Sequence, residues 1–77
     1  MQPYLNLSGN SGVTHYETGA DYILVKFRRV KLPYRYSYES AGRPNIDRMK
    51  TLAADGRGLS TYISQHVHDK YEHPRQA

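Results

Sequence analysis

Apolar and polar residues alternate through "VTHYE" (residues 13–17) and again through "YILVKFRR" (residues 22–29), and "TGAD" between them carries the glycine and aspartate of a tight turn. Valine, isoleucine and the aromatics suit extended chain because their side chains pack on a pleated, half-buried surface. The pattern therefore predicts a β-hairpin. Side chains alternate with period two, so Ile23, Val25 and Phe27 share one face of the second strand and Tyr22, Leu24, Lys26 and Arg28 share the other. The apolar triplet is the expected core face. A third run, "PYRYSYE", places Pro33 where a strand starts, since proline has no N–H for the ladder, and the strand is expected from about Tyr34. Antiparallel pairing across a loop of two or four residues sets the odd-numbered triplet opposite Tyr34, Tyr36 and Tyr38. Those tyrosines then join the core face, and Lys26, Arg28 and Arg35 gather on the opposite one.

The period changes after "SAGRP". Asn45 is the expected helix cap, and Ile46, Met49, Leu52 and Ala53 recur at helical spacing before Gly56. Beyond "GRG", Leu59, Tyr62, Ile63, Val67 and Tyr71 form a second apolar stripe, which ends before Pro74. Two amphipathic helices need an apolar surface, and the sheet supplies one. The predicted fold is α+β: a three-stranded antiparallel β-meander with two C-terminal helices packed on one face. Residues 13–71 form the single domain, residues 1–12, rich in Gly, Ser and Asn, a flexible N-terminal arm, and residues 72–77 a flexible C-terminal tail.

With 77 residues, the chain buries only about 60% of its unfolded surface, which leaves a small stability margin and little room for a deep active site. Cysteine is absent, so disulfide staples and thiolate metal sites are excluded, and a cytoplasmic location is the default expectation. The N-terminal stretch lacks the basic start and apolar run of a signal peptide, and no segment approaches the ~20 apolar residues of a membrane span, so no membrane partner is expected. Eleven Lys and Arg against seven Asp and Glu give a net charge of +4, which favours polyanionic partners. Eight tyrosines stand beside one phenylalanine. Tyrosine can close a small core with its ring or line an interface, so composition alone does not assign them.

"HVHDKYEH" brings together His66, His68, Asp69 and His73. On a helix His66 and His68 point roughly 200° apart, whereas zinc-binding helices use i, i+4 pairs, so a solvated helix face is expected in place of a metal site. Ser60 and Ser64 lie near His68 in sequence without a G-x-S-x-G elbow. "ADGRGLS" lacks the Walker spacing, although the N–H groups opening the second helix, with Arg57 beside them, could hold an isolated phosphate. No catalytic residue and no cofactor are expected, and the chain is read as a non-enzyme.

The order of these segments resembles the KTSC domain family, whose members show a tyrosine-containing turn, an L-x-V-x-F strand, a Y-x-Y strand, an A-x-S/D-x-G segment and an I-x-x-x-Y ending. The corresponding stretches are "HYETGAD", "ILVKF", "YRY", "LAADGRG" and "VHDKY", spanning about residues 13–71. The name-giving tetrapeptide is absent, and "RRVKLP" replaces the usual glycine between the second and third strands. Family members look like free-standing bacterial or phage proteins or modules appended to lysyl-tRNA synthetases. The resemblance thus implies the fold, offers no activity, and tilts the partner toward RNA.

The functional expectation is a small non-catalytic binding module contacting the RNA or DNA backbone through a basic sheet face. Lys26, Arg28, Arg29, Lys31 and Arg35 would meet phosphates, Arg57 would add a contact, and Tyr22, with His15, would offer ring surface. The alternative is a protein-protein interaction or homo-oligomer module using an exposed strand edge.

Overall fold

The computed structural model describes residues 1–7, 9 and 11–72. Most of the tail assigned to residues 72–77, including His73 and Pro74, lies outside them. The fold is α+β, with four antiparallel strands in the order β1 (Gln2–Pro3), β2 (Val13–Thr18), β3 (Tyr22–Phe27) and β4 (Tyr34–Ser37). Helical segments follow as α1 (Tyr38–Ala41), α2 (Arg43–Asp55) and α3 (Leu59–Tyr62), the last running directly into a π-helical turn at Ile63–Val67.

The hairpin and the third predicted strand are present as β2, β3 and β4, but the sheet has a fourth strand. It comes from the segment read as an arm, where Gln2 pairs with Tyr16 and Pro3 with His15. The following residue is the reason this segment joins the fold. Tyr4 is buried against Tyr16, their rings edge to face at 6.4 Å, and its N–H donates to the Thr14 carbonyl. A bulge at Thr14 makes this possible. Val13 faces Phe27 while His15 faces Lys26, so the extra residue brings Val13 and Tyr16 to the same buried face despite their odd spacing.

Pairing of β3 with β4 keeps the predicted parity but not the tight loop. Val25 lies opposite Tyr34 and Ile23 opposite Tyr36, leaving residues 26–33 outside the ladder. The end of β3 turns toward its other neighbour: Arg28 N–H donates to the Gly12 carbonyl, and Val30 N–H closes a turn onto Phe27. Tyr34 and Tyr36 take the buried face as expected, whereas Tyr38 does not belong to the strand. Ser37 instead opens α1 with a reciprocal cap, its Oγ accepting from Ser40 N–H at 3.2 Å and Ser40 Oγ accepting from Ser37 N–H at 3.0 Å. Tyr38 is half-buried, and its hydroxyl donates to Asp47.

Asn45 is not the cap of α2, which Gly42 occupies with Pro44 in the first turn. Inside the helix, Asn45 Nδ2 donates to the Ala41 carbonyl and its Oδ1 accepts from the Tyr62 hydroxyl at 2.6 Å. One side chain therefore ties together α1, α2 and α3. The apolar stripes are buried at Ile46, Met49 and Ala53 of α2 and at Leu59, Ile63 and Val67 of the second helical segment, whereas Leu52 and Tyr62 are half-buried and Tyr71 lies beyond that segment, which ends at Val67 and not just before Pro74. The buried positions form one hydrophobic cluster with Tyr4, Val13, Tyr16, Ile23, Val25 and Tyr36 from the strand side.

The corner between α2 and α3 turns on Gly56, whose φ of 79° is left-handed. A Cβ there would sit 2.7 Å from Leu5 Cβ, and its carbonyl accepts from Leu7 N–H. Gly56→Ala combines left-handed strain with displacement of the N-terminal segment, and is expected to cost about 1–2 kcal/mol from the backbone term alone. Urea denaturation checks this, and an unchanged midpoint would show that the corner relaxes freely.

Candidate nucleic-acid interface

The predicted cations do not form one surface. On the open sheet face, the alternation places His15 and Glu17 of β2, Tyr22, Leu24 and Lys26 of β3, and Arg35 of β4 side by side. Arg35 is already engaged: its Nε lies 3.0 Å from Glu72 Oε1, and its guanidinium carbon stands 4.0 Å from the centre of the Tyr22 ring. Tyr22 is covered by that guanidinium and donates its hydroxyl to Glu17 at 3.3 Å. Lys26 Nζ donates to the Phe27 carbonyl at 2.6 Å, and His15 Nδ1 lies 3.1 Å from Thr14 Oγ1. Glu72 thus offsets the charge of Arg35, the Phe27 carbonyl engages Lys26, and Tyr22 is not a bare stacking platform. Sheet parity placed Tyr22, Leu24, Lys26 and Arg35 on this face, but it also placed Arg28 there, which lies past the end of β3, and it carried no information about Glu72, which reaches the site from the far end of the chain.

Arg28, Arg29 and Lys31 are different. They stand exposed on the β3–β4 connection, and none has a side-chain partner among the described residues. Arg57 is also exposed, at the α2–α3 corner. The helix opening beside it is partly occupied, since the Leu59 N–H donates to the Tyr4 hydroxyl at 3.3 Å. That bond fills one of the donors on which a phosphate reading of "GRG" depends.

The basic connection borders a cleft of about 450 Å³. One side is aromatic. Phe27 and Tyr34 have ring centres 5.5 Å apart, and Tyr34 stacks on Tyr71 at 4.5 Å with the planes only 9° from parallel. Ser60, Ser64, His68 and Asp69 supply the other side from the second helical segment and the turn after it. Val30, between Arg29 and Lys31, also lines the cleft. A second hollow of about 360 Å³ lies against the same Tyr34 and Tyr71 and includes Lys31.

Tyr36 belongs to the cleft lining although it is only 1% exposed. No bond to its hydroxyl is formed by the described residues, and no fully buried polar side-chain atom among them lacks a partner, so the hydroxyl reaches the cleft. Burial, reinforced by the neighbouring Tyr34 and Tyr71 hydroxyls, raises its pKa well above the ordinary tyrosine value. It therefore stays protonated as a neutral donor and acceptor.

Sequence reasoning found Tyr34, Tyr36 and Tyr71 as apolar positions and passed over the cleft between them. The missed signal lies in Ser60, Ser64 and His68, which recur every four residues and so mark a polar stripe along one helix face. His66 faces elsewhere, its ring against Tyr62 at 4.4 Å. No hydrogen bond joins Ser60 or Ser64 to His68 among the described residues, and no three of their His, Asp or Glu side chains converge on a common point that could hold a metal ion.

Fold and cleft define a small α+β domain with a basic loop beside an aromatic hollow. No helix among the described residues is long and apolar enough to cross a membrane. Comparison of the chain with protein-family models, curated proteins and solved structures finds no match.

Proposed function

We propose that this chain is a small non-catalytic module, its two longer helical segments lying on one face of the sheet, that binds the phosphate backbone of RNA or DNA. The observation that carries the reading is the exposed trio Arg28, Arg29 and Lys31, without side-chain partners among the described residues. Cations free of neighbouring carboxylates release counterions when they meet phosphates, and that release drives association. The geometry favours this connection over the sheet face, where Glu72 already engages Arg35 and the Phe27 carbonyl engages Lys26. The KTSC-like order of segments, with its link to lysyl-tRNA synthetases, supports RNA as the first polymer to try.

Strand-edge association receives less support from the edges themselves. The Arg35 carbonyl of β4 accepts from Glu72 N–H and Ser37 N–H is taken by Ser40, while β1 at the other edge has two residues, one of them proline.

Fluorescence anisotropy with labelled single strands and duplexes across a salt series tests the proposal. Affinity is expected to fall steeply with salt, and R28Q/R29Q/K31Q should flatten the log–log slope by about 2 for single strands, at ~0.7 per lost phosphate contact. The triple variant should melt like the parent, since all three positions are exposed. Binding unchanged by the triple substitution, or absent at low salt, would overturn the reading.

A further inference from the structure

The cleft between the aromatic trio and the second helical segment has no role in backbone binding, yet it adjoins the loop proposed to carry it. We infer that it receives an unpaired base of a single-stranded nucleic acid whose phosphates lie along Arg28, Arg29 and Lys31; this rests on the reading above.

Four observations support that occupant. The cleft's volume of about 450 Å³ falls within the ~300–1,000 Å³ usual for small-ligand sites. Its aromatic side presents Phe27 beside the stacked Tyr34 and Tyr71, offering ring surface for a planar group. The polar groups that also line the cleft are the kinds that read base edges: the Tyr36 hydroxyl, protonated and without a partner among the described residues, the Ser60 and Ser64 hydroxyls, and the Asp69 carboxylate, which accepts from an exocyclic amine. Finally, the charge is complementary to a nucleotide in its arrangement. Arg29 and Lys31 flank the cleft-lining Val30 in sequence, which keeps cations within reach of a phosphate attached to a seated base, and Lys31 lines the adjoining hollow.

The helical geometry fits the same site. Ile63 and Ser64 of the cleft belong to the π-helical turn, a form seen mostly as short interruptions and often at functional sites. A duplex holds its bases in the stack, so it gains from the loop but not from the cleft.

The probe is a labelled single-stranded 12-mer, compared at fixed salt with the same strand carrying abasic residues throughout. Base removal is expected to weaken binding by about 5- to 150-fold, the effect of losing one stacked base. Ser64→Trp, at an exposed position lining the cleft, should bring the intact strand down to the abasic level while leaving abasic binding unchanged. Equal affinity for both strands, with salt dependence retained, overturns base capture and leaves backbone binding standing. Failure of both strands to bind at low salt overturns both readings. If Ser64→Trp does not fold, the two-strand comparison on the parent chain still decides, joined by NMR titration, in which Tyr71 and Ser64 resonances must shift with the intact strand and stay in place with the abasic one.

Discussion

Removal of residues 1–7 is expected to leave a chain that is largely unfolded at room temperature. The segment contributes β1, and within it Tyr4 is only 6% exposed. Truncating a buried aromatic costs about 3–5 kcal/mol. At roughly 0.05–0.15 kcal/mol per residue, the whole domain has only about 4–12 kcal/mol to lose. Tyr4 also acts at a distance. Gly58 precedes α3 and has no side chain to cap it, and the Tyr4 hydroxyl, 55 residues from Leu59 in sequence, accepts from the Leu59 N–H, one of the free donors that open the helix. Tyr4→Phe keeps the ring and removes this bond, for an expected loss of about 1 kcal/mol, whereas Tyr4→Ala should approach the effect of the truncation. Far-ultraviolet circular dichroism and thermal melting distinguish the three. A truncated chain with the parent's melting temperature would mean that this segment rests on a core complete without it.

The difference between this segment and its sequence reading has a physical cause. "MQPYLNLSGNSG" shows neither period two nor period 3.6, because its attachment depends on one ring, two paired residues and backbone bonds to Thr14 and Gly56. Periodicity reports faces, and a segment fixed by one anchor presents none. By contrast, Ile23 and Val25, or Ile46, Met49 and Ala53, repeat because each element buries a whole face, and those positions were legible. Tyr38 lies between the two cases. Alternation carries through "YRYSY", but Ser37 and Ser40 are spaced as a capping pair, and the local bonds of that pair win over the extension of a short edge strand.

The site was legible as a set of charges and not as an arrangement. Residue type identified Arg28, Arg29 and Lys31, but alternation carried Arg28 onto the sheet face, whereas β3 ends at Phe27 and leaves it on the connection before Pro33. What alternation could not supply was the partner of each cation. Arg35 and Lys26 look equivalent to the loop cations in sequence, yet Glu72 and the Phe27 carbonyl engage them. The contact between Arg35 and Glu72 spans 37 positions, and it is also what brings the chain after Val67 back to β4, setting Tyr71 on Tyr34 to close the cleft. Core and candidate site thus share a wall, which makes tyrosine the natural residue for it: the ring packs inward while the hydroxyl meets solvent.

Tyr36 tests that double use most sharply. Tyr36→Ala should cost about 3–5 kcal/mol, because the ring is among the largest fully buried side chains and packs edge-on to Tyr71 at 6.1 Å. So large a fraction of the total would leave much of the population unfolded, and ligand binding by that variant would report folding alone. Tyr36→Phe separates the roles, since it keeps the packing and removes only the hydroxyl. Alkaline pH supplies the second readout. The folded state holds the Tyr36 proton more tightly than the unfolded chain does, so its contribution to stability is fully present below the unfolded value of about 10 and is lost as pH rises toward the raised folded value. Melting temperature of the parent should therefore fall more steeply above pH 10 than that of Tyr36→Phe, with the two curves parallel below it. Curves that remain parallel through pH 11 would mean that the hydroxyl is as well solvated as in the unfolded chain, and so is not set in a wall of the cleft.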